Sequence, residues 1–372
     1  MAPSRHVAFQ DLRTDDLTGD LSAVREVLES GWLVLGSQVS RFEEAWAAKC
    51  GADYAIGVGN GLDAIEIGLR ALGVGPGDEV ITTNMTAAAS VIGIIRSGAT
   101  PVLADVTPGS ALLDMQSVER CITSRTKAVL LVHLYGQMRH MTAWHELCQR
   151  NGLLLLEDCA QAHLASAEGK VSGSWGDFGA FSFYPTKNLG AAGDAGAIVT
   201  SSESVADSAR RIRNYGQANR YLHTDEGLNS RLDEIQAAIL HHRLQDLDET
   251  TARRQRIADL FRAHLDSPHV ALLDPPLSRE NHVYHLFVIT SPAREALQTY
   301  MKQQGVETLI HYPIPMNRQP VFEGFRSDPS GLAISEMHSD TCLSLPCAPH
   351  MSDADVEHVI NSVNSFHPKR MD

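Results

Sequence analysis

Uncharged apolar runs of membrane length are missing from this 372-residue sequence. None approaches the roughly 18–20 residues that a spanning helix needs, so a membrane-embedded protein is not expected. The opening residues, "MAPSRHVAFQDLRTDD", hold no continuous apolar stretch of the kind a secretory signal requires. Positive charge is also short: 31 Lys and Arg stand against 45 Asp and Glu, a net charge of −14. Nucleic acids and membrane surfaces are polyanions, so neither is expected as a partner. An anionic small substrate stays open if local basic residues or helix N-termini hold it. The six cysteines form no CxxC pair or other metal-ligand spacing and read as reduced thiols of a cytoplasmic protein. "HLYGQMRH" and "LHHRL" supply histidines without a carboxylate or cysteine to complete a set, so no metal is expected.

What is present points to a globular enzyme: 43% hydrophobic and 20% charged residues, in a chain long enough for a large and a smaller domain. Between residues 54 and 200, strand-like runs such as "YAIGVG", "EVITT", "KAVLLVHLY", "GLLLLEDC", "GAFSFY" and "GAIVTS" alternate with helical segments such as "GLDAIEIGLRAL". Strands apolar on both faces, separated by amphipathic helices, predict an α/β fold with a mostly parallel sheet sandwiched by helices. From Asn229 the pattern turns helical, as one long helix or two in tandem, up to a proline-containing boundary near 266–276. Beyond it "HVYHLFVIT" reads as a strand, "SPAREALQTYMKQQG" as a helix ending at Gly305, and "VETLIHY" as another strand. Ser352 opens a final helix with a capping box. The expected division is 1–266, a large domain with an N-terminal segment and the connecting helix, and 267–372, a smaller α+β domain. "ARRQR" on the long helix reads as a solvated face, the four tryptophans as core or interface residues, and Cys159 as a small core residue.

Three stretches carry chemistry. In "VGNGLDAIEIGLRAL" a strand runs through a glycine-flanked turn into a helix, leaving free N–H groups that suit an anion, with Asn60 as a further donor. An ordinary βα turn is the alternative. In "LLLLEDCAQAH", Asp158 falls at the C-terminal end of an apolar strand, the edge where open α/β sheets bind ligands. A buried carboxylate there needs a cation or several donors, with Gln161 and His163 close by; a helix N-cap is the alternative. In "FSFYPTKNLGAAGDAGAIVT", Lys187 lies just past a strand end among aromatics and glycines. An ordinary lysine is a free amine about once in two thousand at neutral pH; desolvation raises that fraction and makes a nucleophile. Anion-binding turn, aspartate and sheltered lysine together suit pyridoxal 5'-phosphate (PLP): the turn for the phosphate, Asp158 for the protonated pyridine nitrogen, Lys187 for the Schiff base.

These blocks carry a resemblance. The chain is similar to the DegT/DnrJ-type nucleotide-sugar aminotransferases, fold-type-I PLP enzymes, over roughly residues 20 to 365. The similarity extends through "SGWLVLGSQVSRFEEAWA", "TKAVLLVHLYGQ", "EDCAQAH", "NSRLDEIQAAIL", "HVYHLFV" and "IHYPIP". It implies Lys187 as the Schiff-base and proton-shuttling lysine, Asp158 as the pyridinium partner, and Gln161 beside the ring hydroxyl. It implies Ser182 and the amides around Asn60, Gly61 and Leu62 as phosphate ligands. Asn229 matches an asparagine that reaches the neighbouring subunit's phosphate, which implies a homodimer with shared active sites. Tyr184, Arg220, Tyr221, His311 and Tyr312 match segments lining the sugar-nucleotide cleft. The sequence departs from the family at Ala87, where an aromatic usually stacks on the pyridine ring.

The implied reaction moves an amino group from L-glutamate to a nucleotide-linked keto sugar. "GVGNGLDA" with "VHLYGQ" resembles the subgroup acting on C3 of dTDP-3-keto-6-deoxyhexoses, giving dTDP-3-amino-3,6-dideoxyhexoses for a surface polysaccharide or a glycosylated metabolite. A 4-keto sugar or a keto-inositol as acceptor, or a catalytically silent sensor on the same fold, remain alternatives.

Overall fold

The computed structural model describes residues 5–368. A seven-stranded sheet dominates it, in the order Tyr54–Val58, Gly196–Thr200, Phe178–Ser182, Leu154–Asp158, Thr126–Val132, Glu79–Thr83 and Thr100–Ala104. The last five pair parallel, while Gly196–Thr200 runs antiparallel to both of its neighbours. Continuously apolar strands demand cover on both faces, and they receive it. Ala128, Leu130 and Leu156 pack with Ile65 and Leu69 of the helix Gly61–Ala71. Val129, Leu131 and Leu155 pack with Trp144 and Leu147 of the helix Met141–Arg150. The two-residue side-chain period sends successive residues to opposite faces. This is the α/β sandwich expected from the sequence. Its parallel strands finish along one edge, where Asp158 sits level with Val132 and Ala180.

A second, antiparallel sheet joins Ala271–Leu272, Phe287–Thr290 and Cys342–Leu345. Leu297 and Met301 of Arg294–Gln303, Val359 and Val363 of Asp353–Asn364, and Ile257 and Phe261 of Leu247–His264 share its core. Val7 of the N-terminal arm joins them. Ser352 makes the capping box that starts Asp353–Asn364. The connecting segment is two helices, Glu234–Arg243 and Leu247–His264, linked by the short turn Leu244–Asp246.

Three local expectations are corrected. The strand predicted over "HVYHLFVIT" covers only Phe287–Thr290. Val283 N–H donates to Gly136 and Leu286 N–H to Tyr135, so the earlier half docks on a loop of the large sheet instead of pairing. "VETLIHY" forms no strand; Val306 bridges Val7, Leu309 bridges Ser344, and the His311 carbonyl is taken by the Tyr135 hydroxyl. "ARRQR" is not a solvated face. Arg254 is 6% exposed and donates to the Cys347 carbonyl at 2.7 Å, while Gln255 donates to the carbonyls of Arg279 and His282. Arg254, Ile257 and Phe261 follow helical spacing, so this arginine lies on the buried stripe.

Candidate active site

The sheet edge collects the site. Asp158, 7% exposed, accepts from the Ser90 hydroxyl at 2.7 Å and from the Ala160 N–H at 3.1 Å. Ser90 is the third residue of the helix Ala88–Arg96, and its oxygen lies 2.8 Å from that of Thr86. Sequence reasoning missed this hydroxyl; its one signal is a lone polar side chain at i+4 from Thr86 in an apolar helix.

Lys187 follows the strand Phe178–Ser182. Its N–H donates to the Tyr184 carbonyl at 2.8 Å, closing a tight turn with Pro185 second. The side chain is half-buried, and burial lowers the amine to about 8, offset in part by the Asp158 charge. His163 braces this turn. The Leu189 N–H donates to its Nδ1 at 3.1 Å and the Ser182 carbonyl lies 3.0 Å from its Nε2, so Nε2 carries the proton. Burial and the Lys187 charge push this imidazole down to about 3. His311 is lowered to about 4 by the same two causes, and His285 falls well below its ordinary value through burial, the Lys187 charge and the further charges of Arg254, His311 and His163. Lys187 therefore faces neutral imidazoles, which do not compete with it as cations. Asn188 Nδ2 donates to the Val283 carbonyl at 3.1 Å and its Oδ1 lies 3.2 Å from His285 Nδ1, tying the turn to the segment before Phe287–Thr290.

Gln161 takes the Tyr135 N–H on its Oε1 at 2.6 Å and donates from Nε2 to the Tyr312 hydroxyl at 3.0 Å. Asp158, Gln161, Lys187, His311 and Tyr312 thus form one neighbourhood: burial and the Asp158 charge hold the Tyr312 phenol at about 12, with the Gln161 bond opposing.

The turn before Gly61–Ala71 lies beside Ser182. Asn60 caps that helix by accepting from the Asp63 N–H at 2.9 Å, and its Nδ2 donates to Asp63 at 3.1 Å. The extra side-chain donor expected of Asn60 is therefore spent locally; the first-turn N–H groups of Gly61 and Leu62 remain, since a helix start offers them no acceptor. A methyl on Gly61 would meet Ser182 Cβ at 2.6 Å, and one on Gly196 the Asn60 carbonyl at 2.4 Å. Glycine at both positions lets the helix start approach Ser182 and the strand Gly196–Thr200 this closely.

The remaining predicted residues stand apart. Tyr184 is 51% and Tyr221 is 78% exposed. The Arg220 guanidinium lies 5.1 Å from the Tyr221 ring in the hairpin Gln217–Asn219 and Leu222–His223. Asn229 is exposed, its backbone bridged to Asn214. Ala87 is half-buried at the N-cap of Ala88–Arg96 and presents only a methyl. Cys159 is fully buried with its thiol pushed well up by burial. The fold also brings Glu157 and Cys159 beside His133, a grouping the sequence spacing did not show. Both Glu157 oxygens are engaged there, by the N–H groups of Gly173, Trp175 and Gly176 and by His133.

The sequence matches the DegT/DnrJ/EryC1/StrS aminotransferase family over residues 16–364. The chain belongs to this family. It is 45% identical to a dTDP-3-amino-3,6-dideoxy-alpha-D-galactopyranose transaminase of Aneurinibacillus thermoaerophilus, over 97% of this chain and 99% of that one. The solved structure of S. venezuelae DesV in complex with ketimine intermediate superposes with a TM-score of 0.94 at 39% identity, covering 99% of this chain and 100% of that chain. NtdA from Bacillus subtilis, solved with bound cofactor PMP, gives 0.88 at 30% identity, covering 96% and 84%.

DegT/DnrJ/EryC1/StrS aminotransferases depend on PLP, and the residues present fit that group. The glycine-lined approach of helix start and Ser182 suits a phosphate, the buried Asp158 suits a protonated ring nitrogen, and the Lys187 amine, lowered to about 8, suits an aldehyde. Gly61→Ala is expected to raise the PLP dissociation constant roughly 5- to 150-fold, because overpacking costs about 1–3 kcal/mol. A fluorescence titration of the apo-protein checks this, and unchanged affinity would place the phosphate elsewhere.

Proposed function

We propose that this aminotransferase moves the amino group of L-glutamate to a nucleotide-linked 3-keto sugar, most closely a dTDP-3-keto-6-deoxyhexose, giving the dTDP-3-amino-3,6-dideoxyhexose. The carrying observation is the half-buried Lys187 amine, lowered to about 8 and facing Asp158 at the sheet edge. Full-length similarity to a transaminase named for a dTDP-3-amino sugar supports the acceptor class.

When bound, PLP supplies an aldehyde that exchanges amines and a ring that accepts the electron pair released at a substrate carbon. Asp158 would hold the ring-nitrogen proton, with Ser90 and Ala160 keeping the carboxylate in place. The N–H groups of Gly61 and Leu62 would bind the phosphate with the Ser182 hydroxyl, and Gln161 would face the ring hydroxyl. Lys187 Nζ would take the proton from the donor Cα and later deliver one to the sugar carbon that gains nitrogen. Neutral imidazoles around it leave that nitrogen as the local proton carrier.

The reading includes a homodimer with shared sites. Leu17, Leu21 and Leu28 are exposed along one N-terminal helix, Trp32 follows at 63% exposure, and Asn229 and the Arg220–Tyr221 hairpin face outward. A second copy would cover the apolar face and receive those polar groups. No helix among the described residues is long and apolar enough to cross a membrane. The six buried free cysteines are consistent with the cytoplasmic location that completes the reading.

Incubating the pure protein with glutamate and a panel of nucleotide-linked 3-keto and 4-keto sugars, read by mass spectrometry, tests the assignment. The dTDP-3-keto-6-deoxyhexose is expected to exchange its ketone oxygen for an amine; conversion of 4-keto sugars alone would overturn the C3 assignment.

A further inference from the structure

Tyr135 stands at φ +63°, a left-handed backbone that a bulky side chain adopts only when its surroundings hold it there. Its N–H donates to Gln161 Oε1 at 2.6 Å, and its hydroxyl reaches the His311 carbonyl at 2.6 Å and His338 Nε2 at 2.9 Å. A carbonyl only accepts, so the one phenolic proton goes to His311 and the hydroxyl must accept from a protonated Nε2 of His338. Burial keeps both partners neutral: the phenol is raised well above its usual range, and the imidazole is lowered to about 4. Tyr135 and His338 are both buried, from the loop after Thr126–Val132 and the helix Ala333–Thr341. The next helix residue, Ser339, donates to the Tyr312 carbonyl at 2.7 Å, and Gln161 Nε2 reaches the Tyr312 hydroxyl at 3.0 Å. One tyrosine therefore joins Gln161 through its backbone and the 311–312 segment through its side chain.

We propose that Tyr135 is a positioning residue for the sugar half of the reaction: it sets His311 and Tyr312 against Gln161, and His338 fixes the direction of its hydroxyl. The inference rests on the reading that His311 and Tyr312 face the nucleotide-linked sugar. Tyr135→Phe removes one oxygen and keeps the ring, leaving the His311 carbonyl and the His338 N–H without their partner. In the holoenzyme this variant is expected to raise KM for the dTDP-3-keto sugar roughly five- to tenfold, the worth of one neutral hydrogen bond. The glutamate half-reaction is expected to stay within twofold, and hydrogen exchange of the peptide spanning 309–313 to quicken. His338→Leu keeps the tyrosine hydroxyl but removes its donor, so both readouts should move the same way by less. Equal slowing of the two half-reactions, or unchanged exchange at 309–313 in Tyr135→Phe, would overturn the proposal. A wild-type enzyme that aminates no sugar of the panel would refute the functional reading, and the exchange measurement would still decide the role of Tyr135.

Discussion

Replacing Lys187 with alanine is expected to lower turnover at least roughly 10⁴-fold and leave the fold intact. A positioned proton carrier alone contributes about 10²–10⁴-fold, and the loss of the covalent nucleophile adds to it. The lowered value of about 8 makes roughly one amine in ten neutral at pH 7, roughly 200-fold more than in an ordinary lysine. The same shift gives a stability signature with a definite sign. Below about 8 the folded and unfolded chains both hold this proton, and the folded state bears the full penalty of burying the charge. Between about 8 and the ordinary lysine value near 10.4 the unfolded chain binds more protons, so stability rises with pH across that window. Alanine has no charge to bury. Any melting-temperature advantage of the apo Lys187→Ala protein over apo wild type should therefore shrink as pH is raised from 7 to 10. Single-turnover assays, and the mass retained on residue 187 after borohydride reduction with PLP, check the catalytic part. Turnover within tenfold of wild type would refute the assignment.

The sheet class, the strand-end aspartate and the lysine turn are legible in the sequence because local rules set them. Continuous apolar strands need two covered faces, and a sheet edge is where a polar residue at a strand end meets other loops. The residues that tune the site obey no such rule. Ser90 meets Asp158 across 68 positions, and Tyr135 meets His338 across 203, so neither partner marks the other in the sequence. His163 is visible as a nearby histidine, but its bracing of the Lys187 turn depends on two backbone groups brought together only by the fold. The strands expected over 282–286 and 306–312 fail for a related reason. Their period-2 pattern is real, yet Tyr135, Gly136 and Val7 take their backbone groups from outside the smaller sheet, and only Leu309 meets one of its strands, through a single bridge to Ser344. Arg254 shows the converse: its charge suggests solvent, while helical spacing with Ile257 and Phe261 turns it inward.

Asp158→Asn is the second substitution expected to have a large effect, and it separates charge from shape. Asparagine is nearly isosteric, its oxygen can still accept from the Ala160 N–H, and the Ser90 hydroxyl can rotate to accept from the new amide. The fold should therefore hold, and what disappears is the negative charge that would retain the proton on the ring nitrogen. Removing one partner of a buried charge pair costs about 3–5 kcal/mol, which corresponds to roughly 10²- to 5 × 10³-fold in rate. Both half-reactions need the ring to accept an electron pair, so both should slow by the same factor, unlike the one-sided effect expected of Tyr135→Phe. Ser90→Ala should slow both by roughly tenfold or more, because it removes one hydrogen bond to a charged acceptor, worth about 1.5–3 kcal/mol. Stopped-flow spectra of the separate half-reactions with glutamate and with the keto sugar measure all of these. An Asp158→Asn enzyme within fivefold of wild type in both would mean that the ring proton is held by another group.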